Sequence, residues 1–418
     1  MAALPLVIGG LSVSASADGI NVLDNIKVKG EIRPRYESAD TNSATTKSAS
    51  AFTVRTRIGV GADLFGVHGL STFVEGMSVN NISGKYNSTS NGQTGYDKIV
   101  DPRQARLTQA YIDYKIAAAN TLLRVGRQEV NLDNQRFIGS VNWRQMIQTF
   151  DAAVAINSSV KNLTLIGAYV YGTEGIKDTP SSDLESYILH ANYKVNNMLT
   201  ITAYDYILAT EKNTALYYGS DTYGVALTGK PTFAGAKLNY RVEYAKQKDA
   251  SIDNSRTPGD FNADAYYYNL DLGANISGIL VGVNYEFLSG TTGTDGKTAF
   301  ATPFGTNHKF NGWADKFLST PSGGLKDANV RLGYKAKGFG KLLAVYHTFT
   351  ADKVMSAGTG TSDDLGSEFD AVYVNKIPGV KNLKGLIKYA AYSKGKVDGY
   401  VTDVDKVWFM LDYKFSTK

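Results

Sequence analysis

Cysteine is absent from the chain, so neither a disulfide framework nor a thiolate ligand or nucleophile is available. The four histidines, His68, His190, His308 and His347, lie far apart with no second histidine at ligand spacing, and they read as ordinary strand or loop residues. No GxSxG elbow, P-loop or dinucleotide fingerprint occurs, which leaves an enzyme of those classes without its machinery and implies no cofactor. Asp295, Asp363 and Asp364 read as solvated loop acids, because no ordered series of calcium ligands accompanies them. Basic residues are dispersed through the strands rather than gathered on one patch, so nucleic-acid binding is unsupported. Beyond the N-terminus no apolar run reaches the roughly eighteen residues that a membrane-spanning helix needs.

What is present points to a different way of crossing a membrane. Glycine (42) and tyrosine (27) are abundant in the 418 residues, proline is low (9), charged residues make up 20%, and the net charge is +5. A mean hydropathy of −0.21 suits a soluble protein, but it also suits a barrel with a polar lumen, in which only alternate residues meet lipid. At the N-terminus Leu4 to Val13 is apolar and Ala15-Ser16-Ala17 has the small-x-small form of a signal-peptidase site. Residues 1–17 therefore read as a signal-peptide remnant without its basic start, and 18–418 as one β-barrel domain.

From Lys27 onward the dominant period is two, and alternation marks about eighteen strands. In the first, Val28, Gly30, Ile32 and Tyr36 oppose Lys29, Glu31, Arg33, Arg35 and Glu37. In the second, Val54, Ile58, Val60 and Ala62 oppose Arg55, Arg57 and Asp63. The connections alternate strictly. Odd ones are long, around 38–51, 80–105, 129–150, 172–184, 209–220, 248–263, 289–325, 351–367 and 395–404. Even ones are short, such as Phe65–Gly69, Asn196–Asn197 and Asn275–Gly278. Short periplasmic turns alternating with long extracellular loops predict an all-β, transmembrane, antiparallel up-and-down barrel of the bacterial outer membrane. A sandwich or propeller gives no reason for such alternation. Outward faces such as Leu238, Tyr240, Val242 and Tyr244, or Ala328, Val330, Leu332 and Tyr334, would then meet membrane lipid and lipopolysaccharide. A barrel of this size encloses an aqueous channel.

The last strand carries Val407, Phe409, Leu411, Tyr413 and Phe415 on one face. This 407–415 segment resembles the C-terminal signal by which bacterial barrels engage their assembly machinery, with Ser416-Thr417-Lys418 trailing beyond it.

The third long connection differs most from its surroundings. A polar, arginine-bearing segment of that length is usually functional, and the reading is a loop folded into the lumen at about 129–150. Inward positions hold roughly a dozen Lys/Arg and nearly as many Asp/Glu, so the count alone implies weak charge selectivity. Their distribution is uneven: Arg33, Arg35, Arg55 and Arg57 share one face of adjacent strands. Such like charges repel unless solvated or compensated. As a solvated wall they would face anions or polar sugars, with Glu129 and Asp133 available to counter them and Arg124, Arg136 and Arg144 extending the series. Arg241 and Arg331 are inward candidates on later strands, whereas Arg127 falls on the outward phase by simple alternation.

Three runs suggest a family. Gly126-Arg127-Gln128-Glu129, Asn134-Gln135-Arg136-Phe137-Ile138-Gly139, Asn142-Trp143-Arg144-Gln145 and Thr149-Phe150-Asp151 together resemble the signature of the alginate export family of outer-membrane porins. Gly30-Glu31-Ile32-Arg33-Pro34-Arg35-Tyr36-Glu37 is similar to that family's first strand, and His308-Lys309-Phe310-Asn311-Gly312-Trp313-Ala314-Asp315-Lys316 to one of its loops. The resemblance implies a monomeric eighteen-stranded barrel passing an anionic polysaccharide through an arginine-lined constriction, with Arg33, Arg35, Arg124, Arg127, Arg136 and Arg144 as its residues. The residues themselves point to a general porin for small polar or anionic solutes, such as oligosaccharides or organic acids. The other reading is a structural or adhesive barrel whose loop 289–325, with Phe304, Phe310, Trp313 and Phe317, binds glycans or a partner surface.

Overall fold

The computed structural model describes residues 16–17, 20–179, 181–209, 219–250, 263–292 and 297–417. Most of the signal-like segment, and Asp295, lie outside the described residues. The ring of strands begins with β1 (Leu23–Asp40), β2 (Ala49–Leu64), β3 (Leu70–Lys85), β4 (Gln104–Ile116), β5 (Thr121–Gln128) and β6 (Thr149–Asn157). It continues through β7 (Leu163–Glu174), β8 (Ser182–Lys194), β9 (Thr200–Ala209), β10 (Gly219–Gly229), β11 (Ala236–Asp249) and β12 (Asp264–Ile276). It ends with β13 (Ile279–Leu288), β14 (Leu325–Ala336), β15 (Gly340–Ala357), β16 (Gly360–Lys376), β17 (Leu383–Ser393) and β18 (Val404–Ser416). A two-residue strand, Thr232–Phe233, pairs with β11 in the turn before it.

Each strand pairs antiparallel with its sequence neighbours, and β18 pairs with β1 to close the barrel, as the alternation of connections predicts. Closure satisfies the backbone of every spanning strand inside the protein, which lipid cannot do. At the seam Phe415 sits opposite Gly30, where an added Cβ would stand 2.3 Å from the phenylalanine ring. Only a residue without a side chain lets the last aromatic of the chain lie flat over the first strand. The short turns are tight for the same kind of reason. β12 and β13 join through Ser277 and Gly278, both at positive φ (51° and 96°), the pair of conformations that a two-residue hairpin demands.

The alternation of side chains follows the sequence. Val330 and Leu332 are 56% and 62% exposed on the outer face of β14, while Asp327 and Asn329 on its inner face are buried. The long connections foreseen over 209–220 and 248–263 lie largely outside the described residues, and among the described ones one connection departs from expectation. The eighth long loop, foreseen over 351–367, is instead a continuation of β15 and β16, which pair from Met355↔Ser362 to Ala357↔Gly360 and turn at Gly358-Thr359. The segment is too polar to read as a spanning strand, but the end of a hairpin has no lipid to meet and needs no apolar face. Asp363 and Asp364 therefore lie on β16 rather than in a loop.

If the outer face of β14 meets lipid, Val330→Arg should cost about 2–4 kcal/mol of unfolding free energy in vesicles. Denaturant titration followed by tryptophan fluorescence measures it, and a cost near zero would mean that Val330 does not face lipid.

Candidate functional site

Two connections fill much of the lumen: loop 3 (residues 129–148) between β5 and β6, and loop 7 (residues 289–324) between β13 and β14. Their apolar side chains form a core inside the barrel. Phe137 of loop 3 meets Tyr267 edge-on at 5.3 Å between ring centroids, with Tyr204 at 5.5 Å and Phe300 of loop 7 at 5.9 Å. Ile138 forms a β-bridge with Phe304, so the two loops also share backbone pairing. The aromatic residues that favoured an adhesive loop are thus spoken for: Phe304 and Phe317 are buried, and Phe310 and Trp313 are half-buried against the interior.

The arginine wall of β1 and β2 is not solvated. Arg33, Arg35, Arg55 and Arg57 are all buried, Arg35 and Arg55 to 1% exposure. Arg33 donates to the carbonyl of Asn142 (3.0 Å), to that of Arg144 and to Oε1 of Gln145 (3.0 Å). Arg35 donates to the carbonyl of Trp143 (2.6 Å) and is paired with Asp101 and Glu37. Arg55 donates to Oδ1 of Asn142 (2.9 Å) and pairs with Glu31, and Arg57 bridges Glu75 (2.8 Å) and Glu129. Four like charges on adjacent strands are tolerated because carboxylates and loop carbonyls surround them. Their placement makes them clamps for loop 3 rather than a surface open to anions.

The other candidates separate into two groups. Arg144 joins Glu37 (3.1 Å) to Asp315 of loop 7 (2.6 Å), and Arg136 lies 3.0 Å from Glu286 and donates to Asn307 and Asn311 of loop 7. Asp133 turns away from the arginine wall and contacts His190 on β8 (3.1 Å). Arg124, Arg241 and Arg331 point inward but each is held by a carboxylate: Asp113 (2.6 Å), Glu243 (2.7 Å) and Asp271 (2.6 Å). Arg127 shares the outer face with Leu123 and Val125, paired with Asp151 (2.8 Å) and Glu174, so the register removes it from any constriction.

A latch between the loops went unread in the sequence. Trp143 stacks on His308 (4.7 Å, 5° between planes), and the Nζ of Lys388, on β17, lies 4.1 Å from the Trp143 ring and 4.0 Å from Trp313, with Trp408 at 5.2 Å. All three tryptophans of the chain therefore surround one ammonium, the arrangement favoured by cation–π attraction. His308 Nδ1 donates to Asp315, while its Nε2 accepts from Lys388 (2.7 Å). That pairing requires a neutral imidazole, and burial, reinforced by Lys388, pushes its pKa down to about 3. Burial would raise the Asp315 carboxyl, but His308, Lys406 and Arg144 outweigh it and hold it well below the ordinary value. On β16, Glu368 accepts from the Ala314 N–H (2.6 Å) and Asp370 from the Trp313 N–H (3.2 Å). Gly312, at φ 84°, lets the loop approach so closely, since a Cβ there would stand 2.3 Å from the Glu368 carboxylate. The signal available in the sequence was the conjunction of three scarce tryptophans with a loop 7 histidine and aspartate seven residues apart.

The loops leave space along β8–β15. A cavity of about 350 Å³ is bounded by loop 7 (Lys309, Phe310, Asn311, Trp313) and by the inner faces of β11–β15. A larger one of about 980 Å³ lies toward the short turns at Asn196-Asn197 and Lys230-Pro231. The two share Asn134, Arg241 and Asp271.

A family model described as alginate export matches residues 24–403. The chain belongs to the alginate export family. Solved structures similar to this alginate export family barrel include OccK8 (OprE) of Pseudomonas aeruginosa (TM-score 0.70, 15% identity) and OccK9 (OpdG) of the same organism (TM-score 0.71, 16% identity). Each alignment covers 94% of this chain and 99% of the other. OccAB4 of Acinetobacter baumannii is similar at TM-score 0.69 and 13% identity, over 94% and 99% of the two chains. OpdK of Pseudomonas aeruginosa (TM-score 0.70, 12% identity, 94% and 99% covered) has been solved with vanillate. No curated protein sequence matches. Family and fold together make the chain an outer-membrane channel protein of the bacterial envelope, not an enzyme.

The latch carries a pH dependence with a definite sign. Closed, His308 titrates near 3; released, it regains its ordinary value of 6.5, so closure is fully favoured above about pH 6.5 and weakens as pH falls below it. Asp315, whose pKa is depressed, loses its contribution in the same direction at more acid pH. Amide protection at 142–146 and 308–315 should drop about ten- to a hundredfold between about pH 7 and pH 4.5. His308→Gln should remove most of that pH dependence; an unchanged profile in the variant would mean that another group governs the latch.

Proposed function

We propose that this alginate export family barrel is a diffusion channel for small polar solutes, with charge-balanced permeation along the β8–β15 side of the lumen. The observation that carries this reading is the pair of joined cavities, bounded by loops 3 and 7 on one side and by polar strand residues on the other. The arginine-bearing constriction is then formed by Arg241 and Arg331. Arg33, Arg35, Arg55, Arg136 and Arg144 keep loops 3 and 7 in place. Pairing of the inward arginines with Glu243 and Asp271 supports weak rather than strong anion preference. A long anionic polymer gains little from guanidinium groups already neutralised. On this reading lipopolysaccharide surrounds the outer leaflet end of the barrel. The strand Val407–Phe415, whose Phe409, Leu411 and Tyr413 are exposed on the outer face, is the segment read by the barrel-assembly machinery.

Reconstitution in planar bilayers tests the proposal. Purified protein should form ohmic channels with a reversal potential near zero under a salt gradient. Arg331→Ala frees the Asp271 carboxylate and should raise the cation-to-anion permeability ratio about two- to threefold. Arg33→Ala with Arg35→Ala should instead leave selectivity nearly unchanged and make the current noisier, as loop 3 loses its donors. Folded protein without conductance would sink the channel reading, and a strong loss of anion preference in the double variant would return those arginines to the permeation path.

A further inference from the structure

One polar row crosses the open wall at a single level. The strand registers place Arg241, Asp271, Asn284, Asn329 and His347 side by side on β11 to β15. Asn329 Nδ2 donates to Asn284 Oδ1 (3.3 Å) and to Asp327 Oδ1 (3.3 Å), and Asn284 Nδ2 donates to the Leu270 carbonyl (3.4 Å), which leaves the Asn329 Oδ1 acceptor and the second Asn284 N–H to face the smaller cavity. Above the row, loop 7 presents the half-buried rings of Phe310 and Trp313.

The charged groups of this wall are already occupied. Arg331 reaches Asp271 (2.6 Å) across Gly282, where a Cβ would stand 2.8 Å from the guanidinium, and Arg241 is held by Glu243 (2.7 Å). Glu286 faces Arg136 (3.0 Å), Asp327 contacts His347 (2.9 Å), and Lys309 donates to the carbonyl of Asn134 (2.9 Å). At the arginines an anion would have to displace a carboxylate and a cation would have to displace the arginine, whereas Lys309 is an exposed cation at the rim, bonded to a carbonyl. A neutral hydroxyl needs neither, because an amide can donate to one hydroxyl and accept from its neighbour at once. Aromatic faces beside such amides cover the apolar C–H face of the same molecule. The larger cavity continues this character toward the periplasmic turns through Asn192, Asn239, Thr200, Thr202 and Thr228.

We infer that the β11–β15 wall beneath Phe310 and Trp313 is a binding site for neutral polyhydroxylated solutes, of the mono- or disaccharide class. The site rests on the channel reading above and adds to it a substrate class that excludes charge as the basis of recognition. A cavity of about 350 Å³ falls within the usual range of small-molecule sites.

Saturable block of single-channel potassium chloride current is the test, with sucrose as the neutral probe, and glucuronate and vanillate as the anionic ones. Sucrose should block at lower concentration than either anion. Asn284→Ala with Asn329→Ala, and separately Phe310→Ala, should each weaken the sucrose block by about fivefold or more. A conducting channel without saturable sucrose block overturns the inference and leaves the channel reading standing. So does tighter block by glucuronate or vanillate, or block unaffected in both variants. Absence of conductance overturns both.

Discussion

Irregular chain can lie inside a barrel only if its backbone groups find partners that the strand ladder cannot supply. Here the wall provides them by sign. Guanidinium groups on β1 and β2 donate to the carbonyls of Asn142, Trp143 and Arg144 in loop 3. Carboxylates on β16 accept from the N–H groups of Trp313 and Ala314 in loop 7. The guanidinium groups are in turn balanced by neighbours such as Glu31, Glu37 and Asp101, while on the other side Lys388 and Lys406 bond His308 and Asp315 of loop 7. Removing one member leaves its partner buried and uncompensated, which is far more damaging than losing a surface pair. The lumen's shape depends on this exchange of donors and acceptors.

The two sides of the barrel consequently do different work. The arc from β16 through β18 and β1 to β3 holds the loops through buried charged side chains such as Arg35, Glu37, Arg55 and Asp370, and opens at its turn end into a cavity of about 400 Å³ beside Lys29 and Lys414. The arc from β8 to β15 keeps its amides, hydroxyls and paired charges against open space. Such asymmetry lets the clamp be rigid while the permeation wall stays polar. Phe137, Tyr204, Tyr267 and Phe300 form the aromatic boundary between the two functions.

Much of the fold was legible because lipid imposes a local rule. Every spanning strand must alternate, and every second connection must be short, so Val330-Arg331-Leu332 and Ser277-Gly278 announce themselves. The β15–β16 hairpin beyond the membrane obeys no such rule, and its polar sequence hid its pairing. The site was harder to read. Arginine on an inward phase looks the same whether it meets water, as expected for Arg33 and Arg35, or the carbonyls of a loop more than a hundred residues away. The loop 7 aromatics posed the matching problem: Phe304 and Phe317 suggested a surface for partners, but a lumen offers them a core. Alternation reports which face a side chain occupies and carries no information on what fills the space opposite.

The latch has a temporal meaning as well as a spatial one. Trp143 and His308 belong to loops, but the ammonium between them comes from β17, and Asp315 is bonded by Lys406 of β18, next to Trp408. These contacts cannot form while the last two strands are still unplaced. Narrowing of the lumen is therefore tied to the placement of β17 and β18, whose Lys388 and Lys406 must arrive before both loops can take their final positions.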